Sequence, residues 1–482
     1  MLLQLFKHQS KKYFYFSSFL LGVILSLGFD PYNIPFISLL VVGLLFKLNE
    51  QFFIKYNYSY QGFFLIGLTF GFGFFISSTY WISNALIVYG GNTKFLLPFS
   101  IILLPLVLGF FYGVMQLFNC FFWNNSNAKI FYFTVFWIIF ELLRSYLFTG
   151  LPWNLICYSW SWSTNFIQVL SLIGPYGLGA MSVFCSCAIF SIKKKQSNII
   201  IAVLGIMILF LVNLYGSKRI ENYKETYLDN FDVRIVGTYI NQDKKWSEST
   251  RAIINEMLSE NSLTIIPETM AGLKLLKGKN LLQGYLRNEG TKYYNSIDYN
   301  GSTYDKKHLV PFGEYIPFSN FINKTPLSKY FNTTSLSKGE AKNFPSNIVP
   351  LICYEGIFPN FVKLNRKIGA KLLVNITNDS WFGKKTGPKQ HFTHVKFRAI
   401  EEGLPLIRSS NMGFSGLINP LGSTVSQVEL ESNSYVDVKI PRGVNTFYSI
   451  YRYNIIYFLI ALFLIIGYFT QILFNKSKVY IA

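Results

Sequence analysis

The chain is poor in the residues that most often hold metals or form disulfides. Its 482 residues include four histidines and five cysteines. His391 and His394 are spaced as neighbours on a helix, but no further His or Cys cluster accompanies them, so we expect no metal. Only Cys353 belongs to the polar part of the chain, which therefore cannot form an internal disulfide. The other four lie in or beside apolar runs: Cys120, Cys157, Cys185 and Cys187.

Charged residues are also scarce. They make up 14% of the chain, whereas 51% is hydrophobic and 18% aromatic, and the mean hydropathy is +0.30. This composition excludes an ordinary soluble protein, and the length is too great for one domain. The net charge of +20 sits mostly near the ends of apolar runs. We interpret it as a membrane-topology signal and an attraction to anionic lipid headgroups, not as a nucleic-acid site, because no nucleic-acid-binding motif is present.

Long apolar runs predict about eight transmembrane helices. They lie at about 13–28, 32–48, 62–84, 97–122, 130–147, 174–192, 198–215 and 453–474. The first two predict a tight helical hairpin and not a signal peptide, because no small-residue cleavage site follows. We therefore predict three regions: a helical bundle over 1–215, a polar domain over 216–450, and a last helix with its tail over 451–482.

Lysines flank these runs on alternate sides. They are Lys7, Lys11, Lys12, Lys47, Lys55, Lys129, Lys193, Lys194, Lys195, Lys476 and Lys478. Alternation of eight spans puts all of them on the cytoplasmic side, where short loops of membrane proteins are enriched in Lys and Arg. The pattern predicts that both chain ends are cytoplasmic and that residues 216–450 lie outside the cytoplasm.

The polar domain alternates short apolar runs with polar residues. Runs at 233–239, 263–266, 351–353 and 372–376 predict strands, and 249–260 predicts a helix. Glu268 and Cys353 stand at or just after the ends of two of these strands. Polar residues at the carboxyl ends of apolar strands are typical of a layered α/β domain.

Three polar segments of this domain supply complementary chemistry in the order Glu268, Lys306 and Cys353. Their contexts are Pro-Glu-Thr, Tyr-Asp-Lys-Lys-His-Leu and Cys-Tyr-Glu. A free cysteine is more often a small buried hydrophobe than a nucleophile. As a thiolate it accepts acyl groups, provided that a base and an oxyanion-stabilising cation are nearby. The spacing alone does not choose between Lys306 and Lys307.

These motifs resemble the nitrilase, or carbon–nitrogen hydrolase, superfamily. Two further segments, HLVPFGE at 308–314 and TNDSWFG at 377–383, follow a bundle of membrane spans. Together they resemble the membrane branch of that superfamily, the apolipoprotein N-acyltransferases, over nearly the whole chain. The resemblance implies an α-β-β-α sandwich inserted before the last helix, on the periplasmic side of the bacterial inner membrane.

The resemblance also implies a mechanism. Cys353 is expected to attack a phospholipid ester and hold the acyl chain as a thioester. Glu268 is expected to move the protons, and Lys306, picked by the Tyr-x-Lys-x-His-Leu register, to stabilise the oxyanion with the backbone N–H of Tyr354. The acceptor is the N-terminal amine of a diacylglyceryl-modified apolipoprotein, and lysophospholipid is released. No cofactor is implied; the expected partners are these two substrates and membrane lipids, with the enzyme a monomer.

Further positions match the family as supporting or substrate-binding residues. They are Glu314, Glu355, Tyr354, Asn295, Gln242, Trp246, Trp381, Phe382, Trp153 and Arg144. The residues themselves leave alternatives open. Trp246 could be a loop aromatic that dips into lipid, and Trp381 and Phe382 could form a lid, an acyl-chain wall or ordinary packing on the sheet. Trp153 could belong to an aromatic belt.

Ionisable side chains near the membrane interior are functional candidates by default. Arg144 follows Glu141 by three residues, so the two could meet on one helix face. This pair could serve the site or be a structural ion pair at the interface. Arg398, Glu402 and Arg408 are interpreted as structural supports.

One departure from the family pattern concerns the segment after Glu268. Asn295 follows it by only 27 positions, so the helix and mobile arm usual there are reduced to about 271–280. Two other functions remain open at this stage. One is a membrane-tethered amidase or nitrilase acting on small amides, and the other is a non-enzymatic lipid-binding membrane protein.

Overall fold

The computed structural model describes residues 9–192, 196–278, 280–319, 324–325, 335–339, 344–366 and 368–479. The lysines at 7 and 193–195, which contributed to the topology prediction, lie outside these residues. The chain divides into two compact units. The first comprises Met1–Tyr80, Pro98–Asn222 and Phe447–Ala482, and the second comprises Trp81–Leu97 and Tyr223–Thr446.

Helices dominate the first unit and are shorter in the second. In chain order they are α1 Lys11–Leu25, α2 Ile37–Tyr56, α3 Tyr60–Ser78, α4 Asn84–Tyr89, α5 Leu97–Phe122, α6 Ala128–Tyr146, α7 Thr164–Ile167, α8 Leu170–Phe190, α9 Gln196–Glu221, α10 Glu248–Glu256, α11 Phe361–Asn365, α12 Thr386–Glu402, α13 Phe447–Tyr451 and α14 Tyr453–Val479. The expected span at 62–84 ends early, at Ser78, and the residues after Tyr80 belong to the second unit.

Seven helical segments of the described chain are long and apolar enough to cross a membrane, one fewer than the eight expected. They are Ile37–Tyr56, Tyr60–Ser78, Thr93–Phe122, Ala128–Thr149, Leu170–Phe190, Gln196–Glu221 and Tyr453–Asn475. The expected first span corresponds to α1, which has 15 residues and passes into a 3₁₀ turn at Ser26–Gly28. At about 1.5 Å per residue, α1 covers roughly 22 Å, less than the hydrocarbon thickness of about 30 Å.

Small residues bring the helices of the first unit close together. A Cβ on Gly71 of α3 would lie 2.6 Å from the Cα of Gly109 in α5, and one on Gly109 would lie 2.7 Å from the backbone nitrogen of Phe72. Close approach of backbones through small residues is how helices gain packing energy in a bilayer, where lipid competes equally for apolar side chains. These glycines therefore set the distance between α3 and α5.

The second unit contains two β-sheets. Its strands are β1 Tyr227–Gly237, β2 Leu263–Ile265, β3 Leu281–Glu289, β4 Lys292–Tyr299, β5 Ser302–Asp305, β6 Ile348–Ile352, β7 Leu372–Asn378, β8 Leu406–Asn411, β9 Gly416–Ile418, β10 Thr424–Gln427 and β11 Ser434–Pro441. One sheet has the order β11-β1-β2-β3-β4-β5 and the other β10-β9-β8-β7-β6. Within them β1, β2 and β3 are parallel, as are β6, β7 and β8.

The two sheets pack face to face between helices, which confirms the expected α-β-β-α sandwich. Their inner faces share one core, with Ile235 and Ile265 from the first sheet beside Val374 and Ile376 from the second. Alternate residues of the first sheet point outward, because side chains on a strand alternate between faces, and pack with helix α10. On the other side, α12 packs against β8 and the turn that begins at Cys353.

The sandwich brings the carboxyl ends of its parallel strands together. Glu268 follows β2, Cys353 follows β6, and Asn378 ends β7. The two sheets are also joined at this edge, because the backbone N–H of Thr238, just after β1, donates to the carbonyl of Ser410 at 3.1 Å. In return the N–H of Met412 donates to the carbonyl of Thr238 at 2.7 Å. The edge is therefore a rigid place for side chains that must keep a fixed geometry.

Candidate active site

Cys353 occupies a strained position at the end of β6. Its φ is +49°, in the left-handed region that L-residues rarely adopt, and the chain then turns into the 3₁₀ segment Cys353–Ile357. The buried Glu355 carboxylate holds this turn: it accepts hydrogen bonds from the N–H of Ile352 at 2.8 Å and of Lys307 at 2.7 Å. It also accepts from the Tyr304 hydroxyl at 3.0 Å. Glu355 thus ties the cysteine turn to the loop that follows Lys306.

A second buried network lies beneath the cysteine. The Nε2 atom of His391 is 3.3 Å from the carbonyl oxygen of Cys353, and its Nδ1 is 2.8 Å from Asp379. Arg408 donates to the other oxygen of Asp379 at 2.7 Å. Burial alone would raise the pKa of Asp379, but Arg408 and His391 lower it to about 2. The ionised carboxylate is therefore balanced within its own network and supports the backbone of Cys353.

Glu268 is fixed by hydrogen bonds to both carboxylate oxygens. The N–H of Asn378 donates to Oε2 at 2.8 Å, and the side-chain amide of Asn295 donates to Oε1 at 2.6 Å. Close packing also confines this segment. A Cβ on Gly284 of β3 would lie 2.7 Å from the Cα of Glu268 and 2.5 Å from the nitrogen of Thr269, so only glycine fits there.

Lys306 follows β5 and is buried between two carboxylates. Its Nζ donates to Glu314 at 2.8 Å and lies 3.6 Å from Glu268. Asn295 bridges the same two acids, since it also donates to Glu314 at 3.0 Å. Burial opposes the charge of Lys306, but Glu314 and Glu268 together raise its pKa, so it is an ammonium at neutral pH.

The thiol of Cys353 belongs to this charged cluster. Burial and the charge of Glu268 raise its pKa, against the opposing effects of Lys306 and of a hydrogen bond with the Thr377 side chain. The thiol is therefore protonated at neutral pH in the resting site and needs a base when it reacts. A carboxylate, an ammonium and a thiol converge here, which is the set that acyl transfer to sulfur requires.

Gln242 and Trp246 contact the residues that position Glu268. The side-chain oxygen of Gln242 lies 2.9 Å from the side-chain amide of Asn378 and accepts from Ser380 at 3.3 Å. The indole N–H of Trp246 donates to the carbonyl of Thr269 at 2.8 Å, while 57% of the residue stays exposed. The Tyr354 ring lies 5.0 Å from that of Phe358 and 5.6 Å from that of His308.

Trp381 and Phe382 pack against the segment Trp81–Leu97 of the same unit. The Phe382 ring lies 5.0 Å from Trp81 and 5.4 Å from His391, and the Trp381 ring lies 6.3 Å from Tyr89. Trp81 in turn donates to the side-chain oxygen of Gln390 at 3.1 Å. These rings contact a segment some 300 residues earlier, and their roles as a lid, an acyl-chain wall or packing on the sheet stay predictions.

Trp153 and Arg144 lie in the first unit and are buried. Arg144 donates to the carbonyls of Leu151 at 2.7 Å and Trp153 at 2.8 Å. Glu141 accepts from the N–H of Ile156 at 2.8 Å. These two charged residues, which could meet on one helix face, also hold opposite ends of the Pro-Trp loop. In the second unit Arg398 pairs with Glu401 and Glu402 pairs with Arg366, both by ion pairs with little exposure.

Two parts of the chain match known protein families. Residues 21–188 match the apolipoprotein N-acyltransferase N-terminal domain, and residues 242–446 match the carbon–nitrogen hydrolase domain. The apolipoprotein N-acyltransferase of Rickettsia bellii is 33% identical over 468 residues, covering 89% of this chain and 92% of its own. That of Rickettsia prowazekii is 33% identical over 472 residues with the same coverage, and that of Brucella melitensis 31% over 434 residues, covering 80% and 81%.

The chain belongs to the apolipoprotein N-acyltransferase family. Membership accounts for the pairing of apolar helices with a carbon–nitrogen hydrolase domain, and the chain is a multi-pass membrane protein. In the described residues no group of three or more His, Cys, Asp or Glu side chains could hold a metal ion.

Sequence analysis did not predict several residues that contact this site. Thr269 and Asn378 flank or contact Glu268, and the buried Lys245 donates to the Thr269 hydroxyl. His391 drew attention only through its spacing from His394. Only their positions could have indicated a role, because Asn378 ends a strand and Thr269 follows Glu268. Neither Asn nor Thr indicates a catalytic or binding role by residue type alone.

The two adjacent lysines have different surroundings, which predicts different mutant behaviour. Lys307 donates to Asn365 at 2.8 Å and lies over the Tyr304 ring, whereas Lys306 contacts Glu314. We expect Lys306→Met to slow acylation of Cys353 by phospholipid about 100- to 1000-fold, as for loss of one oxyanion-stabilising group. Lys307→Met is the matched control and should change the single-turnover rate little. The reverse order of effects would show that the wrong lysine has been assigned.

Glu268 should have opposite effects on two reactions of the same thiol. Its charge raises the pKa of Cys353, so Glu268→Gln should lower that pKa and speed alkylation by iodoacetamide at pH 7. If Glu268 is also the proton acceptor in catalysis, the same variant should acylate from phospholipid orders of magnitude more slowly. Glu260→Gln, a change at an exposed position, controls for handling of the protein. Rates that move together in Glu268→Gln would contradict the assignment.

Proposed function

We propose that this protein transfers an acyl chain from a phospholipid to the N-terminal amine of a diacylglyceryl-cysteine apolipoprotein through a thioester on Cys353. The observation that carries the proposal is the buried cluster of Glu268, Lys306 and the Cys353 thiol. It lies in a carbon–nitrogen hydrolase domain of a chain whose relatives are named apolipoprotein N-acyltransferases.

The first half-reaction moves the acyl chain onto sulfur. Glu268 takes the proton of the Cys353 thiol as the sulfur attacks the ester carbonyl of the phospholipid. Lys306 and the backbone N–H of Tyr354 stabilise the oxyanion that forms. When this intermediate collapses, the carbon–oxygen bond of the ester breaks and Glu268 returns the proton to the departing lysophospholipid alkoxide. The thioester remains on Cys353.

The second half-reaction moves the acyl chain onto nitrogen. The neutral N-terminal amine of the apolipoprotein attacks the thioester carbonyl, and Glu268 takes a proton from the attacking nitrogen. Collapse of the second oxyanion forms the amide and breaks the carbon–sulfur bond. Glu268 then returns the proton to the Cys353 sulfur, so the resting site is restored and no oxidant or cofactor is consumed.

Two other functions account for fewer of the observations. An amidase acting on small amides would use the same three groups but would need no apolar bundle to admit lipid substrates. A non-enzymatic lipid-binding protein would not need a strained cysteine beside a buried lysine with two carboxylates. One chain supplies all three reacting groups, so we propose that a monomer is sufficient.

We further propose that the second unit faces the periplasm of a bacterial inner membrane. Lys129 at the start of α6 pairs at 2.7 Å with buried Glu50, which lies six residues before the end of α2, and Lys47, in the middle of α2, also pairs with Glu50 at 3.1 Å. These two helix ends therefore lie on the same side, as alternation of the spans requires. Both lysines belong to the set assigned to the cytoplasm by the excess of basic residues.

The thioester can be detected directly. Wild-type protein incubated with phospholipid in the absence of an acceptor should gain one acyl mass on the peptide containing Cys353, read by mass spectrometry. Cys353→Ser should gain none, because a hydroxyl is far harder to ionise than a thiol. Cys157→Ser keeps Cys353 and serves as the cysteine control. An active enzyme with the adduct on another residue would contradict the mechanism.

The topology proposal predicts the outcome of reporter fusions. Helix α9 continues to Glu221, so a reporter joined after Asn222 should be active only if it functions in the periplasm. A reporter joined after Ala482 should show cytoplasmic activity. A cytoplasmic result after Asn222 would put Cys353 on the wrong side of the membrane for lipoprotein maturation, and the proposed function would then fail.

A further inference from the structure

Lys245 is a buried lysine beside the cluster formed by Glu268, Lys306, Glu314 and Cys353. It follows the 3₁₀ turn Gln242–Lys244 and is 3% exposed, whereas the adjacent Lys244 is exposed. Its Nζ donates to the hydroxyl of Thr269 and lies 3.2 Å from the terminal amide of Asn378. Thr269 is the residue after Glu268, and the N–H of Asn378 donates to Glu268. Lys245 therefore contacts both residues that flank the carboxylate.

The charges of the cluster do not balance without Lys245. Glu268 and Glu314 are two carboxylates, and Lys306 is one ammonium. Transfer of a proton from Cys353 to Glu268 leaves the total unchanged, since the thiolate replaces the carboxylate as the negative group. A buried net negative charge is costly, so it opposes loss of the thiol proton to solvent, which would add a further negative charge. The ammonium of Lys245 brings the sum of these groups to zero in both protonation states.

The other nearby acids do not remove the need for a second cation. The charge of Asp379 is already matched by Arg408, and His391, whose pKa is lowered by burial, adds a hydrogen bond to it. Glu355 is held by Tyr304 and by backbone N–H groups, and burial raises its pKa to about 7. When Glu355 is ionised it adds negative charge near Lys306, which makes a further cation more valuable.

We propose that Lys245 is a positioning residue for the reaction: its ammonium, held by Thr269 beside Glu268, neutralises the buried cluster and favours the thiolate of Cys353. The proposal deepens the proposed function, because it assigns a second cation to the same thiol. Lys245 acts through its charge and through its hydrogen bond to Thr269. It does not donate a hydrogen bond to the oxyanion.

Titration of Lys245 gives the charge role a signature. Burial lowers the pKa of Lys245 to about 8, although the charges of Glu268 and Cys353 oppose this shift. The ammonium is therefore present below about pH 8 and lost as the pH rises above it. Its effect on the thiol should be large near pH 7 and should fade at higher pH, whereas a purely structural role would not depend on pH in this way.

The test measures alkylation of Cys353 by iodoacetamide in the purified full-length protein from pH 6.5 to 9.5, with the labelled peptide quantified by mass spectrometry. We expect Lys245→Met to alkylate about tenfold more slowly than wild type at pH 7, as for a rise of about one unit in the thiol pKa. The two rates should converge above about pH 8. Lys244→Met is the matched control and should follow wild type throughout.

Two further variants separate charge from hydrogen bonding. Lys245→Gln can keep a hydrogen bond to Thr269 without the charge, so it should behave like Lys245→Met. Lys245→Arg keeps the charge and should restore part of the rate at pH 7. Rescue by Gln but not by Arg, or a wild-type pH profile in Lys245→Met, would overturn the proposal; if Lys245→Met does not fold, Lys245→Gln is judged by the same criteria.

Alkylation needs no phospholipid, so the result is independent of the proposed function. If Lys245→Met slows alkylation as expected but no thioester forms from phospholipid, the proposed function fails and the charge role of Lys245 stands. A thioester that forms equally fast in wild type and Lys245→Met at pH 7 would instead sink the charge role alone.

Discussion

The contact of the Lys306 ammonium with Glu314, 3.6 Å from Glu268, is the interaction on which the site depends. A buried ammonium is stable only when its charge and its hydrogen bonds are matched. Glu314 supplies the match, and Asn295 ties Glu314 to Glu268 so that both acids keep their places. Because Lys306 stays charged, its position beside the Cys353 thiol is available for an oxyanion. Without this arrangement the thiol of the strained cysteine turn would have neither a base nor an oxyanion-stabilising cation beside it.

The sandwich fold stabilises this arrangement with hydrogen bonds from several different elements. Glu355 fastens the turn at Cys353 to the loop after Lys306, and His391 of α12, held by Asp379 just after β7, supports the cysteine carbonyl. These supports come from different strands and one helix. Since they meet at the joined edge of two sheets, a positive φ at Cys353 can persist. Glu314 and Glu355, which the resemblance both named as supporting residues, thus have different surroundings: Glu314 contacts the lysine, and Glu355 accepts hydrogen bonds from the backbone.

Sequence patterns predicted much of the architecture because they reflect short-range physics. Strand ends carrying Glu268 and Cys353 predicted a layered α/β domain, and the motif resemblance supplied the α-β-β-α form. Helix α1 shows where such patterns stop. Its apolar run continues through Ser26–Gly28, yet the backbone leaves the α-helix there for a 3₁₀ turn. Hydropathy counts apolar residues and does not detect that change, so it does not distinguish α1 from a helix of full membrane length.

The remaining surprises depend on tertiary contacts. The contact between Trp81 and Phe382 joins residues 301 positions apart, and nothing in either local sequence indicates it. Lys244 and Lys245 are adjacent and chemically identical, yet one is exposed and the other lies under Thr269. Only the fold decides which of two neighbouring side chains points inward, so the second lysine of the site could not have been chosen from the sequence.

The central claim is that the acyl group on Cys353 is an intermediate on the way to an amide. The most direct measurement starts from isolated acyl-enzyme, freed of phospholipid, and adds a synthetic diacylglyceryl-cysteinyl peptide. The account predicts that the acyl mass leaves Cys353 as an equal amount of N-acylated peptide appears, while buffer alone leaves most of the adduct in place. Loss of the adduct to water at the same rate with or without peptide would contradict it, and would indicate a hydrolase.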